Sequence, residues 1–171
     1  SIGGTAKGHL VREIDALGGV MGIAADHCFI QSRMLNRGKG PAVHSLRVQA
    51  DRAQYHLYMK RLIEETPNLF LRQAEVTVVQ EEKVSAVRTR LGAEYPVKAA
   101  VIATGTYLGG TIHVGDVSYS SGPDGVSAAQ QLTASLQQAG LHIRRFKTGT
   151  PARVHRRSID FSTFECQHGD S

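Results

Sequence analysis

A pair of glycines runs straight into a helical period at residues 1–19, SIGGTAKGHLVREIDALGG, and this constrains the fold more than any other feature. Glycine bends a backbone through conformations closed to other residues and lets it approach a ligand, while a helix N-terminus favours anionic groups. Leu10, Ile14 and Leu17 recur on one face of a helix over residues 6–17, and Gly18-Gly19 stops it. The segment opens on this turn with no initiator Met and no preceding strand, and we expect an internal piece of a larger protein.

Downstream, residues 20–45 are rich in glycine and charge and read as irregular, and a long helix is expected from Ser45 to Glu65. Its warrant is Leu46, Ala50, Ala53, Leu57 and Leu62 at helical spacing, closed by Pro67-Asn68. The period then changes to strands. FLRQAEVTVVQ, KVSAVRTRL and EYPVKA form three short extended segments separated by polar turns, the pattern of a small antiparallel meander. AAVIATG, at residues 99–105, is apolar without alternation and reads as a strand buried on both faces of a parallel sheet. Helices, meander and buried parallel strand together give an α/β fold class: the second half of a two-dinucleotide-fold FAD domain, in which the ligand lies beyond the strand ends.

From His113 the character shifts. VGDVSYSSGPDG reads as a loop, SAAQQLTASLQQAG as a helix capped by Ser127 and ended by Gly140, LHIRRF as a strand, and KTGTPAR as a turn. The expected division is a partial FAD-binding domain over residues 1–112 and the start of an inserted α+β domain over residues 113–171.

Lys and Arg number 20 against 15 Asp and Glu, a net charge of +5. Its placement says more than its size. No acidic residue lies between Asp124 and Asp160, a window that holds Arg144, Arg145, Lys147, Arg153, Arg156 and Arg157. An acid-free basic run suits a phosphate-backbone partner, and it equally suits a solvated loop. The two cysteines, Cys28 and Cys166, are far apart and sit in no CxxC pattern, which argues against a disulfide scaffold or zinc site and fits a reducing cytoplasm. No apolar run reaches membrane-spanning length.

Several motifs fail on inspection. Gly3 and Gly8 have the spacing of a phosphate loop, but His9 and Leu10 follow where Lys and Ser or Thr are required. A Gly-x-Gly-x-x-Gly fingerprint is absent from the whole chain, so no standalone dehydrogenase is supported. Eight histidines include no HExxH and no pair at metal spacing, and no Ser-His-Asp arrangement can be assembled; we name no metal ligand and no catalytic residue. KTGTPAR combines lysine, glycine turn and arginine and could hold phosphate, although a structural turn is the plainer reading.

Five separated words resemble one family in order and spacing: IGGTAKGHLVREIDALGG at 2–19, IQSRMLNRGKGPAV at 30–43, RVQADR at 47–52, ATGTYLGGTIHVG at 103–115 and RFKTGTPAR at 145–153. The family is that of glucose-inhibited division protein A, flavin-dependent tRNA-modifying enzymes, and the likeness covers essentially the whole chain. It implies FAD, NADH and a methylene-tetrahydrofolate carbon donor, with tRNA as substrate. It also implies a GTPase partner, a homodimer and a cytoplasmic location. The activity implied is installation of an aminomethyl or carboxymethylaminomethyl group on C5 of the wobble uridine. Carried over, Ile2, Gly3 and Gly4 lie by the flavin, and Thr104, Gly105 and Thr106 approach it from the adjacent strand end. Glu75 falls at a contact to the adenosine end where valine is common, and the stretch from Ser127 to Ala129 aligns with a further FAD contact. The basic residues Arg144, Arg145, Lys147, Arg153, Arg156 and Arg157 belong to the insertion that helps receive tRNA.

The resemblance also has gaps. The family's phosphate loop, its two cysteines and its C-terminal helical domain have no counterpart among these residues, and Pro123 stands where arginine is usual. We therefore expect the 171-residue stretch alone to bind FAD weakly and to be inactive. A non-catalytic RNA- or partner-binding module derived from the family, and another flavoprotein such as a folate-dependent tRNA methyltransferase, are the competing readings.

Overall fold

Asp51 divides what reads in the sequence as one long helix. Its carboxylate accepts hydrogen bonds from the Ala53 and Gln54 amides at 2.9 and 3.0 Å, the geometry of an N-cap, and the helix that follows is Arg52–Glu65. The six residues before it, Ser45–Ala50, form a strand instead. This corrects the helix expected from Ser45. Asp51→Ala should cost about 1 kcal/mol in urea unfolding, with Asp51→Asn close to neutral because the amide oxygen still accepts.

The computed structural model describes residues 1–79, 84–149, 151–152 and 154–170. It divides into two units, one of Ser1–Leu71 with Arg153–Ser171 and one of Arg72–Ala152. Each mixes helices with small antiparallel sheets.

In the first unit, β1 (Ile2–Gly3), β2 (Phe29–Leu35) and β3 (Ser45–Ala50) make a sheet in the order β1-β3-β2. Ile2 pairs with Val48 and Gly3 with Arg47, while Met34 faces Leu46 and Leu35 faces Ser45. Helices α1 (Lys7–Ala16) and α2 (Met21–Cys28) pack on this sheet, and α3 (Arg52–Glu65) packs on α2. Ala24, Ala25, Cys28, Ser45 and Val48 are its buried centre. Gly8 lets α1 press onto β3, since a Cβ there would come within 2.6 Å of Ser45 Oγ and 2.9 Å of the Leu46 carbonyl. His27 stacks on Tyr58 with ring centroids 4.7 Å apart, joining α2 to α3. Partial burial, and then the neighbouring Cys28 thiol, push the Tyr55 phenol above its ordinary value. The helix expected over 6–17 is present as α1; of the irregular stretch expected over 20–45, α2 and β2 take residues 21–35, and 36–44 is a loop of short turns as expected.

In the second unit, β4 (Val76–Val79), β5 (Ala86–Thr89) and β6 (Glu94–Pro96) form the expected antiparallel meander, with Val87 opposite Tyr95. Helix α4 (Gln130–Gln138) packs on β4, burying Leu132 and Leu136 together with Ala86 and Ala128. It starts later than expected. Ala129, not Ser127, is its N-cap and carries no side-chain capping bond, whereas Gly140 (φ +84°) ends it as anticipated.

Three further expectations are corrected. The apolar run at 99–105 is not a buried parallel strand: it pairs with no strand among the described residues, and Val101 is 94% exposed. A strand needs neighbours to satisfy its amides, and the sheets formed by the described residues are antiparallel. LHIRRF is likewise without strand pairing. VGDVSYS, expected as loop, contributes to a hairpin of β7 (Thr111–Val114) and β8 (Val117–Ser120), turned at Gly115 (φ +56°) and Asp116.

Candidate functional site

The glycine turn is built by opposing demands at its two ends. Strand pairing holds Ile2 and Gly3 against β3, and the Gly4 amide donates to the Leu46 carbonyl at 2.8 Å. The chain must then reverse into α1, and it does so through left-handed conformations at Gly3 (φ +75°), Gly4 (φ +97°) and Ala6 (φ +61°). The Gly4 carbonyl receives the Lys7 and Gly8 amides at 3.0 and 2.8 Å, and Ser45 Oγ donates to the same oxygen. Among the described residues the Thr5 and Ala6 amides have no acceptor, and the N-cap Ala6 supplies no side-chain cap. These free donors at a helix N-terminus suit an approaching anionic or carbonyl oxygen.

The remaining candidate cofactor residues lie in the second unit. Thr104 leads into the tight turn Gly105–Tyr107, and the Tyr107 amide donates to the Thr104 carbonyl at 3.1 Å. Tyr107 covers Gly122, where a Cβ would meet the ring at 2.6 Å, and Gly110 fits between Ser121 O and Thr106 O. The Tyr107 end of the turn is therefore brought against Gly122, in the loop that leads through Ala129 into α4. Ala129 itself is left-handed (φ 38°, ψ 49°), and the first amides of α4 are not capped by a side chain. Glu75 turns elsewhere. Its carboxylate lies 3.3 Å from Arg90 Nη1, and its carbonyl accepts the Arg90 amide at 2.9 Å, leaving its backbone N–H rather than its charge for any ligand.

The basic residues separate into two kinds. Arg145 is exposed like its neighbours but is engaged by its own chain: Nη1 and Nη2 both donate to the Gly109 carbonyl, at 3.1 and 2.9 Å, and Nη2 reaches Thr111 Oγ1 at 3.4 Å. Arg144 and Lys147 are exposed, as are Arg156 and Arg157 on a short turn, Arg156–Ser158, of the first unit. Arg153, like Thr150 of the KTGTPAR turn, lies outside the described residues.

A second capped turn, Phe161–Thr163, follows. Asp160 Oδ1 accepts from Ser162 Oγ at 2.6 Å and from the Ser162 amide at 3.0 Å, and these bonds hold its carboxyl below the ordinary aspartate value. A depressed folded value means that the cap's contribution is present above the unfolded pKa and is lost as pH falls through the folded one. A carboxyl-detected NMR titration should show that displacement, and Ser162→Ala should move the midpoint back up.

Sequence reasoning missed Asn36, Gln167 and Asp170. Asn36 (φ +62°) donates from Nδ2 to Thr5 Oγ1 at 3.3 Å and to the Val43 carbonyl at 3.2 Å, tying the loop 36–44 to the glycine turn. The word NRGKGP carried a turn signal that could have found it. Among the described residues no cluster of His, Cys, Asp or Glu could hold a metal ion.

The match to the family described as glucose inhibited division protein A runs over residues 1–171, the entire chain. The chain belongs to that family. A relative from Caldicellulosiruptor saccharolyticus, the tRNA uridine 5-carboxymethylaminomethyl modification enzyme MnmG, is 60% identical, with 99% of this chain and 28% of the relative covered. The enzyme of the same name from Alkaliphilus metalliredigens is 56% identical, with 99% of this chain and 27% of the relative covered. The form I crystal structure of Aquifex aeolicus GidA superposes with a TM-score of 0.90 at 48% identity, again over 99% of this chain and 28% of that one. The chain thus spans little more than a quarter of the relatives' length, and its mixed α/β fold with small antiparallel sheets is that of the Aquifex protein over the shared part.

Proposed function

We propose that these residues form part of an FAD-dependent enzyme that installs a carboxymethylaminomethyl or aminomethyl group on C5 of the wobble uridine of tRNA. The observation that carries this reading is the 60% identity, over 99% of this chain and 28% of the relative, to a protein named for that modification. In the finer division proposed here, residues 1–112 belong to the second half of a two-dinucleotide-fold FAD domain and residues 113–171 begin an inserted domain. The exposed Leu10 and Ile14 of α1, Leu17 at its C-terminal cap, and the exposed Val101 support a segment that packs inside a larger protein.

The residues present suit a flavin dinucleotide. Ile2, Gly3 and Gly4 place backbone rather than side chain at the turn, and the unpartnered Thr5 and Ala6 amides offer donors to it. Thr104, Gly105, Thr106 and Ala129 offer a second set of backbone groups, with Glu75 contributing through its main chain. The flavin, when bound, supplies the redox chemistry by which the new carbon unit is fixed to the base, with NADH as reductant and methylene-tetrahydrofolate as carbon donor. The protein's part is to orient the cofactor and to exclude water, while exposed Arg144, Lys147, Arg156 and Arg157 meet phosphates of the tRNA. A GTPase partner, a homodimeric assembly and a cytoplasmic location complete the reading. Among the described residues no helix is long and apolar enough to cross a membrane.

The test is genetic complementation with the intact protein in cells lacking their own enzyme. Mass spectrometry of digested tRNA should show the carboxymethylaminomethyl wobble nucleoside restored, and the purified protein should carry a visible flavin spectrum. An unmodified wobble uridine with a well-folded, flavin-free protein would refute the proposal.

A further inference from the structure

β2 is an edge strand, and its outer edge is not left open. Ser32 and Met34 share one parity on the strand, so their free backbone groups point away from β3, and an edge of this kind is a ready acceptor for another segment. Residues 167–170 occupy it. The Asp170 amide donates to the Ser32 carbonyl at 2.8 Å, and the Met34 amide donates to Asp170 Oδ2 at 2.6 Å. Gln31 Nε2 donates to the Gln167 carbonyl at 2.6 Å, and Arg33 Nη1 donates to Gln167 Oε1 at 2.7 Å. Gly169 makes the approach close, since a Cβ would lie 3.0 Å from the Ser32 carbonyl and 3.0 Å from Gln31 Cγ and these neighbours would have to yield by a few tenths of an ångström.

One carboxylate oxygen does two things here. Asp170 Oδ2 holds the Met34 amide and also lies 2.7 Å from Arg37 Nη2, so it grips the chain on both sides of Leu35 and Asn36. Asn36 is the residue whose side chain reaches Thr5 and Val43, and the His44 ring Nε2 lies 3.2 Å from the Arg37 carbonyl. The contacts form one continuous path from Asp170 through the Met34–Arg37 corner to Asn36, Thr5 and the glycine turn. Along it lies a shallow cavity of about 300 Å³ lined by Arg33, Met34, Leu35, Asn36, Arg37 and Asp170. Arg37 is largely exposed, so its ion pair is screened; the bond from the Met34 amide to a charged and more shielded carboxylate is the stronger part of the grip.

We infer that Gln167 and Asp170 are positioning residues: a latch on the edge of β2 that fixes the loop 36–44 and, through Asn36 and Thr5, the glycine turn. The latch rests on the proposed flavin reading only for its catalytic consequence, which is that it sets the pose of the turn facing the cofactor. It also ties the exposed Arg156 and Arg157, a short way upstream on the same segment, to the sheet that carries that turn.

The test uses the full-length protein with and without FAD, in wild type, Asp170→Ala, Asp170→Asn and Gln167→Ala. Hydrogen exchange reads the latch directly in peptides covering residues 30–44 and 2–8, and fluorescence titration reads FAD affinity. Asp170→Ala should raise exchange in both peptides and weaken FAD about tenfold. Asp170→Asn keeps the acceptor and should recover most of both effects, and Gln167→Ala should fall between. Unchanged exchange in Asp170→Ala overturns the latch. Faster exchange confined to 30–44, with FAD affinity intact, overturns its positioning role while leaving the flavin reading in place. A wild-type protein that takes up no FAD sinks the flavin reading instead, and exchange at 2–8 then still decides the latch. Should Asp170→Ala fail to fold, Asp170→Asn and Gln167→Ala decide the matter by the same two readings.

Discussion

Alanine in place of Gly3 should destabilise the intact protein by about 3 kcal/mol, the sum of a conformational and a steric cost. Gly3 sits at φ +75°, where an L-residue is strained by about 1–2 kcal/mol. A Cβ on it would also intrude on the Leu46 carbonyl oxygen, the atom that accepts the Gly4 amide at 2.8 Å. The strain cannot be relieved by a rotamer change, because both partners are backbone. β1 must move off β3, and the turn that presents the Thr5 and Ala6 amides moves with it. Gly38→Ala is the control: no heavy atom lies within 4 Å of its added methyl and its φ is ordinary, so it should be near neutral. Urea unfolding of the two variants, followed by FAD titration of the folded fraction, checks the prediction. Equal midpoints for Gly3→Ala and Gly38→Ala would mean that the turn is not held as described. Retained FAD affinity in a destabilised Gly3→Ala would mean that the turn does not face the cofactor.

Local signals were legible where a residue both starts or stops an element and fits its neighbours. Helix α1 with its Gly18-Gly19 stop, the meander at 76–96 and the Gly140 end of α4 are of this kind. β3 was misread because Leu46 and Ala50 continue the spacing of α3, and only the capping carboxylate of Asp51 marks the boundary. The hairpin at 111–120 was misread because polar Ser118 and Ser120 masked an alternation whose turn signal is Gly115-Asp116. AAVIATG shows a different limit. An unbroken apolar run says which residues avoid water, but strand formation depends on partners elsewhere. The same holds for the site. The glycine turn announces itself through Gly3 and Gly4, whereas Asp170 meets Met34 across 136 residues of sequence and leaves no local trace. Arg145 was indistinguishable from its neighbours by charge, and only the Gly109 carbonyl separates it from them.

That separation makes the basic run testable in a way that net charge alone is not. Replacing Arg144, Lys147, Arg156 and Arg157 together by alanine should lower tRNA affinity on the order of a hundredfold at physiological salt. Each phosphate that is no longer neutralised should reduce the slope of log affinity against log salt by about 0.7–0.9, so removing all four cations takes about 3 from it. Arg145→Ala should behave oppositely. Without its two donors to the Gly109 carbonyl, stability falls by about 1–3 kcal/mol, yet the salt slope of the folded protein stays nearly unchanged. The solvated-loop reading predicts no change of slope for either variant, and filter binding across a salt series separates the three cases. A further substitution sharpens the outcome. Lysine at 144, 156 and 157 preserves point charge but not the planar fork of arginine. If it restores both slope and affinity, the residues act through charge on the phosphate backbone; if it restores slope but not affinity, at least one guanidinium makes a bidentate contact that sets the register of the tRNA.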